Sequence, residues 1–377
     1  MSVLWYFRRL FVCVGTAAVL CFAMGETAAA SNPQVNPAVQ KAVAAFLHSE
    51  GTTSKDAVAV TWDCLAAISL LPSVGAPALS RIKDDANALV ATSDLVGDGR
   101  VGWTYDPNAV SPQNCAGPGT LSTFHTGCNK RFTKYNFQTS LAATCLARAY
   151  EATQDGHYLD VARRAIADAE ESANNPDPEH CVDCRAYSYS LSPNDHGRIV
   201  RSVNALMGMA NAWLYHTTGD ERYRRQAQAV ANQELRELKA GNFGYLSIDD
   251  PGFKRSPDVE SMHIENHAPY TAKGLYDIGR ILNEPAVLDA AAQSMRSWLY
   301  CLTAACNLHK CSYWAGDADI CHETVTLAPC FLKKLGETFS TACDRAASSA
   351  PSFNTYQIWA IFDPGPTKPF IQSSPPT

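Results

Sequence analysis

The sequence predicts an all-α fold, an (α/α)6-type toroid of helical hairpins with its long loops on one face. Three observations predict it: a phrase repeated every 65 residues, a scarcity of period-two strand patterns, and connections that alternate between short and long. Thr153-Gln154-Asp155-Gly156-His157-Tyr158 recurs as Thr218-Gly219-Asp220-Glu221-Arg222-Tyr223. An eroded third copy reads Leu282-Asn283-Glu284-Pro285-Ala286-Val287-Leu288. Each copy lies between two Ala-rich apolar stretches of helical spacing. The repeating unit is therefore a helical hairpin, and stacked hairpins bury a continuous core.

Residues 1–30 read as a secretory leader. Arg8 and Arg9 precede an apolar run from Leu10 to Met24, and Ala28-Ala29-Ala30 offers a small-residue cleavage site. The run is short for a membrane span, so the expectation is export without a lasting membrane association, to the periplasm or the medium. Residues 31–362 then form the toroid and residues 363–377 a loose Pro-rich tail.

Helical periodicity begins at Ala38–His48 and continues through Val58–Leu71. After a Pro-Ser-Val-Gly turn it resumes over Ala76–Thr92. Phe137–Thr153 and Tyr158–Ala173 form one hairpin, Val200–Thr217 and Tyr223–Leu238 the next, and Tyr270–Leu282 and Ala286–Leu302 a third. Weaker segments at Thr324–Phe339 and Phe353–Phe362 bring the total near eleven, close to the twelve helices of such a toroid.

The leader takes two of the 14 cysteines, and an even number in an exported chain favours disulfides. Cys181-Val182-Asp183-Cys184 has the spacing of half a zinc site that Cys321-His322 would complete, but an oxidising compartment favours the disulfide. Arg185 stands where haem attachment needs His. No metal or cofactor is expected. The formal charge of −6, with no basic run, argues against a nucleic-acid partner.

Links inside hairpins, such as Gln154–His157 and Gly219–Arg222, are minimal. Links between hairpins are long: Val96–Tyr135, Glu171–Arg198, Lys239–His267 and Leu302–Thr324. Antiparallel stacking puts all the long links on one face, where structured loops usually carry function. Counting by 65 makes Asn136, Arg201 and Asn266 equivalent, each at the start of a first helix. Exposed N–H groups and positive dipole ends there suit anionic or hydroxyl-rich ligands.

The densest chemistry on that face is His263-Ile264-Glu265-Asn266-His267-Ala268-Pro269-Tyr270. Asn194-Asp195-His196-Gly197-Arg198 with Arg201 repeats the idea one hairpin earlier, although Asn and Asp also cap helices. Trp103, Tyr105 and Tyr135 are candidates for stacking on sugar rings, or for burial under the long loop. Asp249-Asp250 is either an acid/base pair or a turn before Pro251. Trp314, Asp317, Asp319, His322 and Glu323 read more simply as a disulfide-bonded loop, and His125 is isolated.

The Ala-rich helix pair with its Thr-Gly-Asp-x-x-Tyr turn resembles the α/α-toroid carbohydrate enzymes: polysaccharide lyases, unsaturated-uronyl hydrolases and the helical domain of glucuronyl carbon-5 epimerases. Residues 136–300 carry the likeness. Glu265-Asn266-His267-Ala268-Pro269-Tyr270 is similar to the Asn-His-centred motif of alginate-lyase-like toroids, with Glu265 where those often have a second Asn. The resemblance implies that Asn266 with Arg198 or Arg201 neutralises a uronate carboxylate. His267 or Tyr270 then moves the C5 proton; His263, in the same segment, and His196, beside Arg198, are further catalytic candidates. Trp103, Tyr105, Tyr135, Asn136, Glu265, Asp249 and Asp250 are the expected substrate contacts. The expected partner is a polysaccharide, acted on by β-elimination or epimerisation. A glycoside hydrolase using Asp249 or Asp250 with Glu265, and a non-catalytic helical-repeat binder, are the alternatives.

Overall fold

A computed structural model describes residues 37–48, 57–104, 132–197, 199–239, 268–308, 330 and 355–366. The leader, the segment from His263 to His267, Asp249-Asp250, Tyr105, Arg198 and Cys321-His322 lie outside these residues. Ten α-helices stand among the described residues: α1 Pro37–His48, α2 Ala57–Val74, α3 Ala76–Thr92, α4 Asn136–Thr153 and α5 Gly156–Ala169, then α6 Arg201–Thr218, α7 Glu221–Lys239, α8 Ala268–Leu282, α9 Pro285–Leu308 and α10 Thr355–Phe362. The only paired strands among them are two-residue segments, β1 Ala173–Asn174 and β2 Ala186–Tyr187, which run antiparallel. The fold is the α/α toroid.

The repeated phrase is the hairpin turn, and its letters have separate tasks. Gln154, Gly219 and Asn283 each take a left-handed conformation, with φ of 61°, 71° and 57°, which ends the first helix. Asp155 and Asp220 then cap the second helix by accepting from His157 N at 3.0 Å and from Arg222 N at 2.8 Å. The two tyrosines that close the phrase, Tyr158 and Tyr223, are buried anchors.

The three left-handed residues are 65 and then 64 residues apart, which corrects the expected register by one residue in the third hairpin. On this count Glu265, not Asn266, is the counterpart of Asn136 and Arg201. Tyr270 matches Leu141 and Leu206, Lys273 matches Thr144 and Met209, and Asp277 matches Arg148 and Trp213. One residue is about 100° of helix rotation, so the slip changes which face is compared.

The first helix of each hairpin is central. α4 is buried at every position from Asn136 to Ala149 and α6 from Arg201 to Tyr215, whereas α5 and α7 keep exposed stripes. α2, α4, α6 and α8 pack in succession, and α10 returns against α2. Gly274 lets α8 lie on α6, since a Cβ there would meet the Ala205 backbone at 2.7 Å. Cys64–Cys145 staples α2 to α4, and Cys181–Cys184 closes a small loop between α5 and α6, as the oxidised reading expects.

Some boundaries differ from the expected ones. α2 continues through Pro72 to Val74, and α9 runs on to Leu308 instead of yielding to a loop at Leu302. α2 is long and apolar enough to cross a membrane, but 67% of its window is buried, as befits a core helix. Asp363, expected in the tail, is 1% exposed and belongs to the core.

Candidate functional site

The central helices run parallel, because residues early in each meet one another and residues late in each meet one another. Early residues build an aromatic cluster. Trp62 of α2 and Tyr270 of α8 stack with centroids 5.6 Å apart and planes 14° apart. Tyr356 of α10 meets both edge-on, at 5.1 Å from Trp62 and 4.7 Å from Tyr270. Phe137 of α4 closes one side, 5.4 Å from Tyr270, and Trp359 underlies Trp62 at 5.3 Å. Trp62 and Tyr270 are only half buried, so part of the stack stays accessible at the end from which the long loops leave.

One to three turns deeper the interior turns charged. Lys273 Nζ donates to Asp277 Oδ1 at 2.6 Å and to Asp363 Oδ2 at 2.8 Å, and lies 4.8 Å from the centre of the Trp359 ring. Arg148 Nη2 donates to Asp363 Oδ1 at 2.6 Å, while its guanidinium lies 4.3 Å over Trp213. Trp213 Nε1 donates to Asp277 Oδ2 at 3.0 Å. Two cations and two carboxylates thus balance, all of them buried. Burial alone would lower the pKa of Arg148, but the charges of Asp363 and Asp277 hold it above its ordinary value. The Tyr276 phenol beside them is pushed up to about 12 by burial and by Asp277.

The remaining sequence candidates are placed as follows. Arg201 is 1% exposed and grips Glu234, through Nε at 2.8 Å and Nη2 at 2.8 Å. Burial pushes the Glu234 carboxyl up, against the pull of Arg201 and Asn204. A guanidinium so held ties α6 to α7. Asn136 is fully buried and donates to Ser172 Oγ at 2.8 Å and Ser188 O at 2.6 Å, and its own N–H donates to Tyr189 O at 3.1 Å. The Asn136 N–H at the entrance of α4 is therefore not bare. Trp103 is core, 1% exposed, with Nε1 donating to Leu89 O at 2.9 Å. Tyr135 is buried edge-on against Tyr189. His196 is exposed in the turn before α6. Of the site candidates in the described residues, Tyr270 alone joins the accessible aromatic stack.

Sequence reading missed Trp62, Tyr356 and Trp359 above, and Arg148, Lys273, Asp277 and Asp363 below. The signal available for the lower group was the register: with the 64-residue step, Arg148, Trp213 and Asp277 fall at one position.

No family profile matches the chain, and no curated protein matches it in sequence. Solved structures do match its fold. A cellobiose 2-epimerase from Bacillus thermoamylovorans B4167 aligns over 82% of this chain and 76% of its own, at 12% identity and a TM-score of 0.53. A D-mannose isomerase aligns over 82% and 83%, at 13% identity and a TM-score of 0.53. A sugar epimerase from a ruminal bacterium aligns over 77% and 72%, at 13% identity and a TM-score of 0.51. At such identities the likeness is one of fold.

Proposed function

We propose that this chain is an exported enzyme acting on a uronate-containing polysaccharide, by β-elimination or by epimerisation at C5. The observation that carries the reading is the half-buried Trp62–Tyr270 stack at the loop-bearing end of the toroid. Aromatic rings that keep some exposure suit contact with the C–H groups of a pyranose. The fold's solved examples include proteins titled sugar epimerase and D-mannose isomerase, which fits a saccharide ligand. A fold does not name a reaction, so the chemistry rests on the residues.

The C5 proton of a uronate is weakly acidic because the neighbouring carboxylate is already negative. Positive or strong hydrogen-bonding groups on that carboxylate stabilise the enolate that forms as the proton leaves. Arg201 is engaged by Glu234, which leaves Arg198 and Asn266 for this task. His267 or Tyr270 takes the proton. In β-elimination the electron pair forms the C4–C5 double bond, the C4–O bond breaks, and an acid protonates the leaving oxygen. In epimerisation a proton returns to C5 from the opposite side, and no bond to oxygen breaks. Export draws support from the leader-like residues 1–30 and from two disulfides.

The test is incubation with alginate, heparosan and pectate. Absorbance at the unsaturated-uronate band is expected for elimination, and solvent deuterium at C5 for epimerisation. Neither signal on any polymer sinks the proposal. Release of reducing sugar without the band, lost in Asp249→Asn or Asp250→Asn but kept in His267→Ala, means a hydrolase instead. Saccharide binding without turnover means a binding module.

A further inference from the structure

Two disulfides among the described residues are built differently. Cys64–Cys145 joins positions 81 residues apart, and both cysteines are 0% exposed in the core. Cys181–Cys184 joins positions 3 apart, in the link between α5 and α6. A cross-link stabilises mainly by restricting the unfolded chain, and restricts it more when the closed loop is longer. The short ring therefore adds little of that kind. It is also reachable. Cys184 is 5% exposed, but Cys181 keeps part of its surface in water, and between them Val182 is 80% exposed and Asp183 faces out. The pair thus has one outer and one inner cysteine.

The ring is also held by contacts that do not pass through sulfur. Asn175 Nδ2 donates to Cys181 O at 2.8 Å and to Val182 O at 3.0 Å, and Asn232 Nδ2 of α7 donates to Asp183 O at 3.1 Å. Cys181 N donates to Asp177 O at 3.0 Å, and Cys184 N to Cys181 O at 3.3 Å. Just beyond the ring, Arg185 N donates to Ala229 O at 3.1 Å, while Arg185 pairs with Glu170 and Arg236 with Asp177. With the S–S bond opened, these contacts keep the two thiols near each other, which favours closing again.

Exchange between thiols and disulfides needs an accessible sulfur to attack and a second sulfur to leave. We propose that Cys181–Cys184 is a thiol–disulfide exchange site for an external dithiol, with Cys181 the sulfur that is attacked. One thiolate of the dithiol bonds to Cys181 Sγ, the S–S bond breaks, and Cys184 Sγ leaves as a thiolate that takes a proton. The second thiolate of the dithiol then displaces Cys181 Sγ, which also takes a proton. The protein gains two thiols, and the dithiol, having given up two electrons and two protons, becomes a disulfide. A disulfide oxidant runs the same steps backwards. The site shares no residue with the saccharide reading and does not depend on it.

The experiment holds the folded full chain in dithiothreitol buffers of graded thiol-to-disulfide ratio, blocks free thiols with N-ethylmaleimide and reads each cysteine by peptide mass spectrometry. Cys181 and Cys184 should be half reduced at a ratio about tenfold or more below the one that Cys64 and Cys145 require, with the helical circular dichroism unchanged. Opening of both pairs at one ratio, or opening only as the helical signal is lost, overturns the proposal. Cys184→Ser and Cys181→Ser then identify the attacked sulfur. With glutathione disulfide, folded Cys184→Ser should form its mixed disulfide at Cys181 roughly tenfold or more faster than folded Cys181→Ser does at Cys184. Equal rates in the folded chains overturn the assignment of Cys181. Reduced thioredoxin at the same thiol concentration separates the sources: opening faster than by dithiothreitol assigns a protein dithiol, and equal or slower opening a small one.

Discussion

The two ends of the same five central helices are built from opposite materials. At their N-terminal ends Trp62, Tyr270 and Tyr356 form an aromatic group that is partly accessible. One to three turns further along, Arg148, Lys273, Asp277 and Asp363 form an ion network with almost no exposure. Charge in a protein centre invites a catalytic reading, yet here the charged end is the architectural one. Asp363 follows α10, a helix of eight residues, and ties it to α4 and α8 at once. Exposed aromatic surface, in contrast, forgoes about 25 cal/mol for each Å² left in water. The aromatic end leaves some stability unclaimed, which fits the proposal that it meets a saccharide.

The largest test of this contrast is Asp363→Ala. It strips the shared partner from two buried cations and should cost about 3–5 kcal/mol, measured by urea unfolding. Asp363→Asn should cost less, because an amide oxygen still accepts from one of them. A loss below about 1 kcal/mol would break the assignment of the charged end to architecture. Trp62→Ala comes next. Saccharide affinity should fall about 10- to 100-fold, or roughly 1.4–2.8 kcal/mol, with less loss of folding stability than Asp363→Ala. Reversed effects, with Trp62 mattering to folding and Asp363 to binding, would invert the comparison.

How much of this could be read beforehand follows from how each signal is encoded. The hairpins were legible because their turns are local: a left-handed residue, an Asp cap and a tyrosine anchor lie within six residues of one another. The third copy misled by one residue because Glu284 stands where an Asp would cap, so only the conformation of Asn283 fixes the count. The accessible stack was not legible. Trp62, Phe137, Tyr270 and Tyr356 come from four helices and share no spacing, and each passes for a core residue of its own helix. Arg201 was read for its charge, while its partner Glu234 lies on the next helix.

The smallest predicted effect concerns a buried carboxylate that has neither kind of partner. Asp85 of α3 is 5% exposed and its Oδ2 accepts no hydrogen bond. Burial, reinforced by Asp63, raises its pKa to about 8 despite Arg81, which is itself bonded to Asp63 at 3.3 Å. In the unfolded chain the group titrates near 3.8. Between those two values the native state holds a proton that the unfolded state has released, so stability falls as pH rises through that window. Above pH 8 both states are ionised and the penalty is constant. Asp85→Asn removes the penalty and should stabilise the protein at pH 7, on the order of 1 kcal/mol. Melting temperatures of both forms between pH 5 and 9 check it, since the variant should lose most of the decline that the parent shows. Parallel curves would mean that Asp85 is ionised and solvated after all. The partnered carboxylates of the centre would then differ from it only in position, and their complete pairing would carry less weight as evidence of an architectural role.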